Sequence, residues 1–97
     1  MATFILLSSL TDNGAQTLMH EPERIHEVNA EMARMGVRVL SQFAVLGLYD
    51  FVNIVEAPDN VTIARVSAEM ASRGSVRITT LPAIPIDDYV AGLRAGR

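Results

Sequence analysis

The sequence predicts a single domain of the α+β class, and three observations lead to it. The chain has 97 residues, below the size at which chains divide into several domains. Residues 31–39 (EMARMGVRV) recur loosely as residues 69–78 (EMASRGSVRI), and each copy is typical of a helix end, a glycine and a strand start. A turn at Gly47-Leu48 separates these two strand–helix–strand halves. The order β-α-β-β-α-β is ferredoxin-like, with a four-stranded antiparallel sheet and the helices on one face, over residues 1–97.

The first half begins with a predicted strand over residues 2–10, which ends at turn residues 11–14. A short helical stretch follows through Met19. The main helix begins at Pro22, because proline suits an early helical position. Its predicted buried stripe recurs at helical spacing and consists of Ile25, Val28, Met32 and Met35.

The second strand is predicted over residues 37–45. Alternation divides its side chains between the two sheet faces. One face would hold Val37, Val39, Phe43 and Val45, and the other Arg38 and Gln42.

The second half repeats the pattern, with a third strand at residues 49–56 and a helix at about 60–73. Asp59 or Asn60 is the expected N-cap of this helix. Its predicted core stripe is Ile63, Val66 and Met70.

The fourth strand is predicted over residues 75–81. Pro82 and Pro85 should end regular pairing, because proline has no N–H to donate to a sheet. A short terminal helix is expected over residues 87–93.

Both faces of the predicted sheet carry apolar side chains, although helices cover only one of them. These side chains include Phe4, Ile5, Leu6, Leu7, Leu40, Phe51, Val52 and Ile54. An exposed apolar face of this size marks a contact surface. A second copy related by a two-fold axis is the simplest partner, so we expect a homodimer.

Composition excludes several function classes. The net charge is −3, which argues against nucleic-acid binding. The sequence has no lysine and no cysteine, so Schiff-base chemistry, a Walker-type phosphate loop, thiol catalysis and disulfides are excluded. No charged leader precedes the first apolar stretch, and no apolar run approaches the ~20 residues that span a membrane. We therefore expect a cytoplasmic protein that contacts neither nucleic acid nor membrane.

The central hairpin carries a family resemblance. The string Gly47-Leu48-Tyr49-Asp50-Phe51-Val52 resembles the signature of the GYD-domain family, named for a glycine, a tyrosine and an aspartate at this turn. The resemblance covers nearly the whole chain. It implies a dimeric α+β barrel built from ferredoxin-like domains. It implies little about function, because the family is largely uncharacterised and a fold does not specify a function.

Tyr49 and Asp50 are the first candidate site residues. In a functional interpretation Asp50 is a general base or polar anchor, and Tyr49 is a hydrogen-bond donor lining a cavity between sheet and helices. In a structural interpretation Asp50 accepts backbone hydrogen bonds at the hairpin while Gly47 supplies a positive φ. Strand alternation places the two side chains on opposite faces, which favours the structural interpretation.

The two histidines, His20 and His26, are the groups that titrate near neutral pH. They are six residues apart and do not share one helix face, so we predict no metal and no cofactor. His26 lies beside the predicted buried stripe and could border a pocket.

Asn53 interrupts an otherwise apolar strand. A buried amide costs free energy unless it is hydrogen-bonded. Asn53 could orient a ligand, or it could pair with Ser8 or Ser41 across the sheet, and the sequence favours the pairing.

Two functions of different classes follow, and the residues leave open whether the protein is an enzyme. The first is a small-molecule binding protein or modest enzyme with a cavity between helices and sheet. Its candidate catalytic residues are Tyr49, Asp50 and His26, and its candidate ligand-binding residues are Asn53, Tyr49 and His26. The alternative is a non-catalytic regulatory or assembly module that binds protein through its sheet face.

Overall fold

The computed structural model describes residues 1–96 and confirms the ferredoxin-like architecture. The predicted domain end at Arg97 lies outside the described residues. The four strands lie in the order β2-β3-β1-β4, and all neighbouring strands are antiparallel. The elements in chain order are β1 (Ala2–Leu10), α1 (Asp12–His20), α2 (Arg24–Arg34), β2 (Arg38–Ala44), β3 (Phe51–Ala57), α3 (Asn60–Ser72), β4 (Val76–Ala83) and α4 (Ile86–Ala95).

The core lies between one face of the sheet and the helices α2 and α3. Phe4 and Leu6 of β1 alternate with half-buried neighbours, as expected for a strand with one covered face. Apolar side chains from β3, α2 and α3 complete this layer. The buried apolar residues are Phe4, Leu6, Met32, Val37, Val55, Ala57, Ile63, Val66 and Met70.

Residues 11–14 form a helix start instead of the predicted turn. Thr11 is the N-cap of α1, and its Oγ1 accepts a hydrogen bond from Gly14 N at 3.1 Å. The same hydroxyl donates to Gly74 O at 2.7 Å, and Thr11 N donates to Ser75 O at 3.0 Å. Gly14 lies so close to Ser75 that a Cβ would overlap its carbonyl group. These contacts fix α1 against the start of β4.

The predicted face assignment of β2 is wrong beyond Val39. The pairing with β3 shifts between Val39 and Ser41, so a β-bulge reverses the faces of the residues that follow. Gln42 therefore points toward α2, where it pairs with Asn29. Phe43 points to the opposite face and is 56% exposed.

The end of β4 also differs from the prediction. The strand continues through Pro82, which lies opposite Phe4 of β1, to Ala83. Proline is tolerated here because β4 is an edge strand, where one side of the backbone needs no hydrogen-bonding partner.

The loop between β2 and β3 is longer than the predicted turn. Gly47 has a φ of 123°, the conformation expected of it. Tyr49 and Asp50 lie in this loop, and β3 begins at Phe51. Asp50 N donates to Ser8 O at 2.8 Å, and Val45 N donates to Asp50 O at 2.9 Å, so the loop is attached to the sheet by its backbone.

The terminal helix α4 is longer than predicted and stands apart from the domain. None of its residues is buried, and it makes no substantial contact with any other described element. The molecule accordingly measures 54 × 29 × 19 Å. Across residues 1–96, no helix combines the length and the apolar character needed to cross a membrane.

Candidate functional site

A cavity of about 160 Å³ lies between the sheet and the helices α1, α2 and α3. Every strand and these three helices contribute to its lining. Most of the wall is apolar and comes from residues of the core and its border. These residues include Leu6, Ile25, Val28, Met32, Met70 and Ile78.

Asn53 lines the cavity and has a side-chain atom without a hydrogen-bond partner. It projects from the middle of β3, is only 7% exposed, and lines the cavity. Its Oδ1 atom is fully buried and has no hydrogen-bond partner among residues 1–96. Since buried polar atoms are nearly always paired, this acceptor needs an explanation.

The predicted pairing of Asn53 with Ser8 or Ser41 is wrong. The strand register places Leu6 and Gln42 opposite Asn53, whereas Ser8 lies opposite Phe51 and Ser41 opposite Ile54. Ser41 also points to the other face of the sheet, because of the bulge in β2.

Two other amide side chains of the lining form hydrogen bonds with each other. Asn29 Nδ2 donates to Gln42 Oε1 at 2.8 Å, and Gln42 Nε2 donates to Asn29 Oδ1 at 3.2 Å. This reciprocal pair joins α2 to β2. Because the two amide groups hydrogen-bond to each other, Gln42 does not form a hydrogen bond with its strand neighbour Asn53.

The charged members of the lining, Arg24 and Arg73, belong to an ion-pair network that joins α2 to the end of α3. Arg73 Nη2 lies 2.6 Å from Glu31 Oε2, and Arg24 Nη2 lies 3.5 Å from Glu31 Oε1. Arg24 also contacts Glu27 at 2.8 Å, and Arg73 contacts Glu69 at 3.7 Å. The hydrogen bond from Arg73, reinforced by the positive charge of both arginines, lowers the pKa of the Glu31 carboxyl.

Tyr49 and Asp50 lie outside the cavity lining. Asp50 Oδ2 accepts a hydrogen bond from Leu10 N at 2.7 Å, at the end of β1. This contact favours the structural interpretation of Asp50, because the carboxylate accepts the backbone hydrogen bond that a neighbouring strand would otherwise accept. Leu10 itself lines the cavity, so Asp50 positions one of its walls.

The histidines are not brought to the cavity either. His20 and His26 are both exposed and are absent from its lining. Within residues 1–96, no three histidine, aspartate or glutamate side chains come together as a set of metal ligands. Of the predicted site residues, the structure thus brings only Asn53 to the cavity.

Sequence reasoning missed the two arginines and the amide pair. The bulge in β2 hid the inward direction of Gln42, and a bulge leaves no clear mark in the sequence. Asn29 could have been identified as a residue close to the cavity, since it directly follows Val28 of the predicted buried stripe. Arg73 could have been placed near Glu31 only by knowing how α2 and α3 pack.

Two apolar surfaces outside the cavity have no cover in the described chain. The first, the open sheet face, is formed by the strand sides opposite the helices: Ile5, Leu7, Phe43, Val52, Ile54 and Leu81. The second, the α4 stripe, consists of Ile86, Tyr89, Val90 and Leu93, which are 38–70% exposed. Their spacing of i, i+3, i+4 and i+7 places all four on one helix face.

Two comparisons with known proteins bear on this architecture. The family model described as the GYD domain matches residues 4–92. A protein of Thermus thermophilus, named glutamine synthetase and cystathionine beta-lyase binding protein, is 60% identical over 95 residues. The aligned region covers 97% of this chain and 100% of that relative.

Proposed function

The chain belongs to the GYD-domain family, and from that premise we propose that it binds metabolic enzymes, such as a glutamine synthetase or a cystathionine β-lyase. The single observation that carries the proposal is the relative named for binding both enzymes, at 60% identity over its whole length. At that identity the two chains share one fold.

The α4 stripe is the surface we assign to the enzyme. Anchors spaced at i, i+3, i+4 and i+7 are those by which an amphipathic helix enters an apolar groove of a partner. Tyr89 is 50% exposed and Leu93 is 55% exposed. Buried aromatic anchors carry much of the binding energy in such contacts. Because α4 stands apart from the domain, it can enter a groove without displacing any part of the core.

The open sheet face is the surface we assign to a second copy of the chain. A two-fold contact buries the same patch on both subunits, so a flat apolar face can cover itself. Its border row contains Arg38 opposite Glu56, so each subunit offers one cation and one anion to its partner. Charge complementarity of this kind fixes the register of two stacked sheets.

Biolayer interferometry with the immobilised chain tests the enzyme-binding proposal. The analytes are purified glutamine synthetase and cystathionine β-lyase from the same organism, with an unrelated enzyme of similar size as the control. We expect saturable binding of at least one of the first two and none of the control. If all three give equal responses, or if neither named enzyme binds, the proposal fails.

Asn53 favours a second candidate function, small-molecule binding in the helix–sheet cavity. Its side chain lies in the cavity lining, its Oδ1 has no partner among residues 1–96, and ligand sites use a few polar side chains of this kind to orient what they bind. This site is separate from both apolar surfaces. The two functions can therefore occur in one protein.

A further inference from the structure

The helix α4 lacks the packing that stabilises the other helices of the protein. All ten of its residues are exposed, and it makes no substantial contact with any other described element. Helices shorter than about 12–15 residues are only marginally stable in water by themselves, because most helix stability in proteins comes from packing of an apolar face. The apolar face of this helix, the α4 stripe, is uncovered in the described chain.

The ends of α4 add little to its stability. The helices α1 and α3 each begin with a side chain that accepts a backbone hydrogen bond, Thr11 and Asp59 respectively. Pro85 precedes α4, and no side chain caps this helix start. At the other end, Gly96 has a φ of −81°, so it does not form the left-handed cap that often ends a helix.

Gly92 lowers the stability of α4 further. It lies in the helix interior, where only proline is less favourable than glycine. A Cβ at this position would meet nothing within 4 Å, so no contact in the described chain requires a glycine here. Asp87 in the first turn and Arg94 in the last turn suit the helix dipole, but salt screens this effect at exposed positions. The composition of α4 therefore favours a helix that forms only in part without a partner.

Resting on the enzyme-binding function proposed above, we infer that α4 is only partly helical in the free protein and completes its helix when the α4 stripe enters a groove of the enzyme. Ordering of α4 then opposes binding, as in other segments that fold on their partners. The surface that fits α4 is a preformed apolar groove about 15 Å long, the length of ten helical residues. Helix stability becomes a determinant of enzyme affinity, separate from direct contact.

Two substitutions change the helix stability of α4 without touching the α4 stripe. At 3.6 residues per turn, Ala91 lies opposite the stripe and Gly92 lies off it. By biolayer interferometry, Ala91→Gly should weaken binding of the enzyme about three- to fivefold, and Gly92→Ala should strengthen it by a similar factor. Ala15→Gly, the same substitution at an exposed position of α1, is the matched control and should bind like the wild type.

Hydrogen exchange of the free full-length chain gives a measurement that does not depend on the enzyme. The backbone amides of residues 89–95 should exchange within about tenfold of the rate of an unstructured peptide, whereas the interior amides of α3 should exchange far more slowly. Gly92→Ala should slow the exchange of the α4 amides in the free chain. Addition of the enzyme should protect the same amides in the wild type.

The outcomes separate the inference from the function on which it rests. If the wild type binds an enzyme and Ala91→Gly and Gly92→Ala bind it equally well, the inference is overturned and enzyme binding stands. Protection of the free α4 amides as strong as that of α3 would also overturn the inference. If Ile54→Glu, which places a charge on the open sheet face, removes that protection, a second copy covers α4 instead. Failure of both enzymes to bind the wild type would overturn the proposed function itself.

Discussion

The backbone N–H of Leu10 donates to Asp50 Oδ2 at 2.7 Å, joining the end of β1 to the loop before β3. The backbone N–H of Asp50 donates in return to Ser8 O at 2.8 Å. Asp50 therefore forms hydrogen bonds with two residues of β1 and attaches the loop to the sheet at the end where the cavity lies. Asp50, the aspartate of the family signature, therefore stabilises a wall of the cavity although it does not line the cavity itself.

Asp50→Ala should destabilise the fold. It leaves the partly buried Leu10 N–H without its charged acceptor, which costs about 1–3 kcal/mol. Urea denaturation followed by circular dichroism measures the change. Asp87→Ala, at an exposed position of α4, is the control and should leave the free energy of unfolding unchanged. An Asp50→Ala variant as stable as the wild type would contradict the structural role.

Gly14→Ala should be strongly destabilising. A Cβ at Gly14 would overlap the carbonyl group of Ser75 and lie 2.9 Å from its carbon atom, so α1 would have to move away from β4. Overpacking of this kind costs about 1–3 kcal/mol. Thermal denaturation provides the measurement. Gly92→Ala in α4, where a Cβ would meet nothing within 4 Å, is the matched control and should unfold at the wild-type temperature or above.

Stability should depend on pH through Glu31. Its pKa in the folded protein lies below the ordinary value of 4.5, chiefly because Arg73 donates a hydrogen bond to the carboxylate. Between the two pKa values the unfolded chain binds more protons, so stability rises with pH. The contribution of Glu31 is thus fully present above pH 4.5 and is lost as pH falls through the lowered pKa.

Urea titrations of wild type and Glu31→Gln between pH 3 and pH 7 test this dependence. The wild type should be more stable near neutral pH, and the difference should shrink at the acidic end. Glu21→Gln, at an exposed position with no ion pair among the described residues, is the control. A difference that is constant over the whole range would show that the ion pair does not contribute.

Ile54→Glu should dissociate the proposed homodimer. Ile54 lies on a central strand in the middle of the open sheet face, opposite Ile5. A two-fold contact would bury two such carboxylates without partners. Light scattering after size exclusion should give twice the 10.5 kDa chain mass for the wild type and a single chain mass for the variant. Arg65→Glu, on the exposed side of α3, should remain dimeric. A monomeric wild type would contradict the assignment.

Sequence patterns predicted the order of the four strands and the two main helices along the chain, and both helix–glycine–strand transitions, because these depend on local chemistry. Gly36 and Gly74 do adopt positive φ values, 92° and 77°. Features that depend on tertiary contacts were missed. The bulge after Val39 turned Gln42 toward the cavity, and the edge position of β4 let Pro82 remain in the strand.

The candidate site was predicted only in part, for the same reason. Asn53 was identifiable as a polar residue in an apolar strand, but its lack of a partner depends on the exact register of three strands. The separation of α4 from the domain was equally hidden, because its apolar spacing alone would also suit a helix packed on the core.

The most direct test of the account is the affinity for glutamine synthetase of the wild type and of Tyr89→Ala/Leu93→Ala, measured by biolayer interferometry. Loss of both anchors should weaken binding at least about tenfold, while the variant stays dimeric by light scattering. Asp88→Ala, on the opposite face of α4, should bind like the wild type. If the double variant binds as tightly as the wild type, the enzyme does not dock on α4.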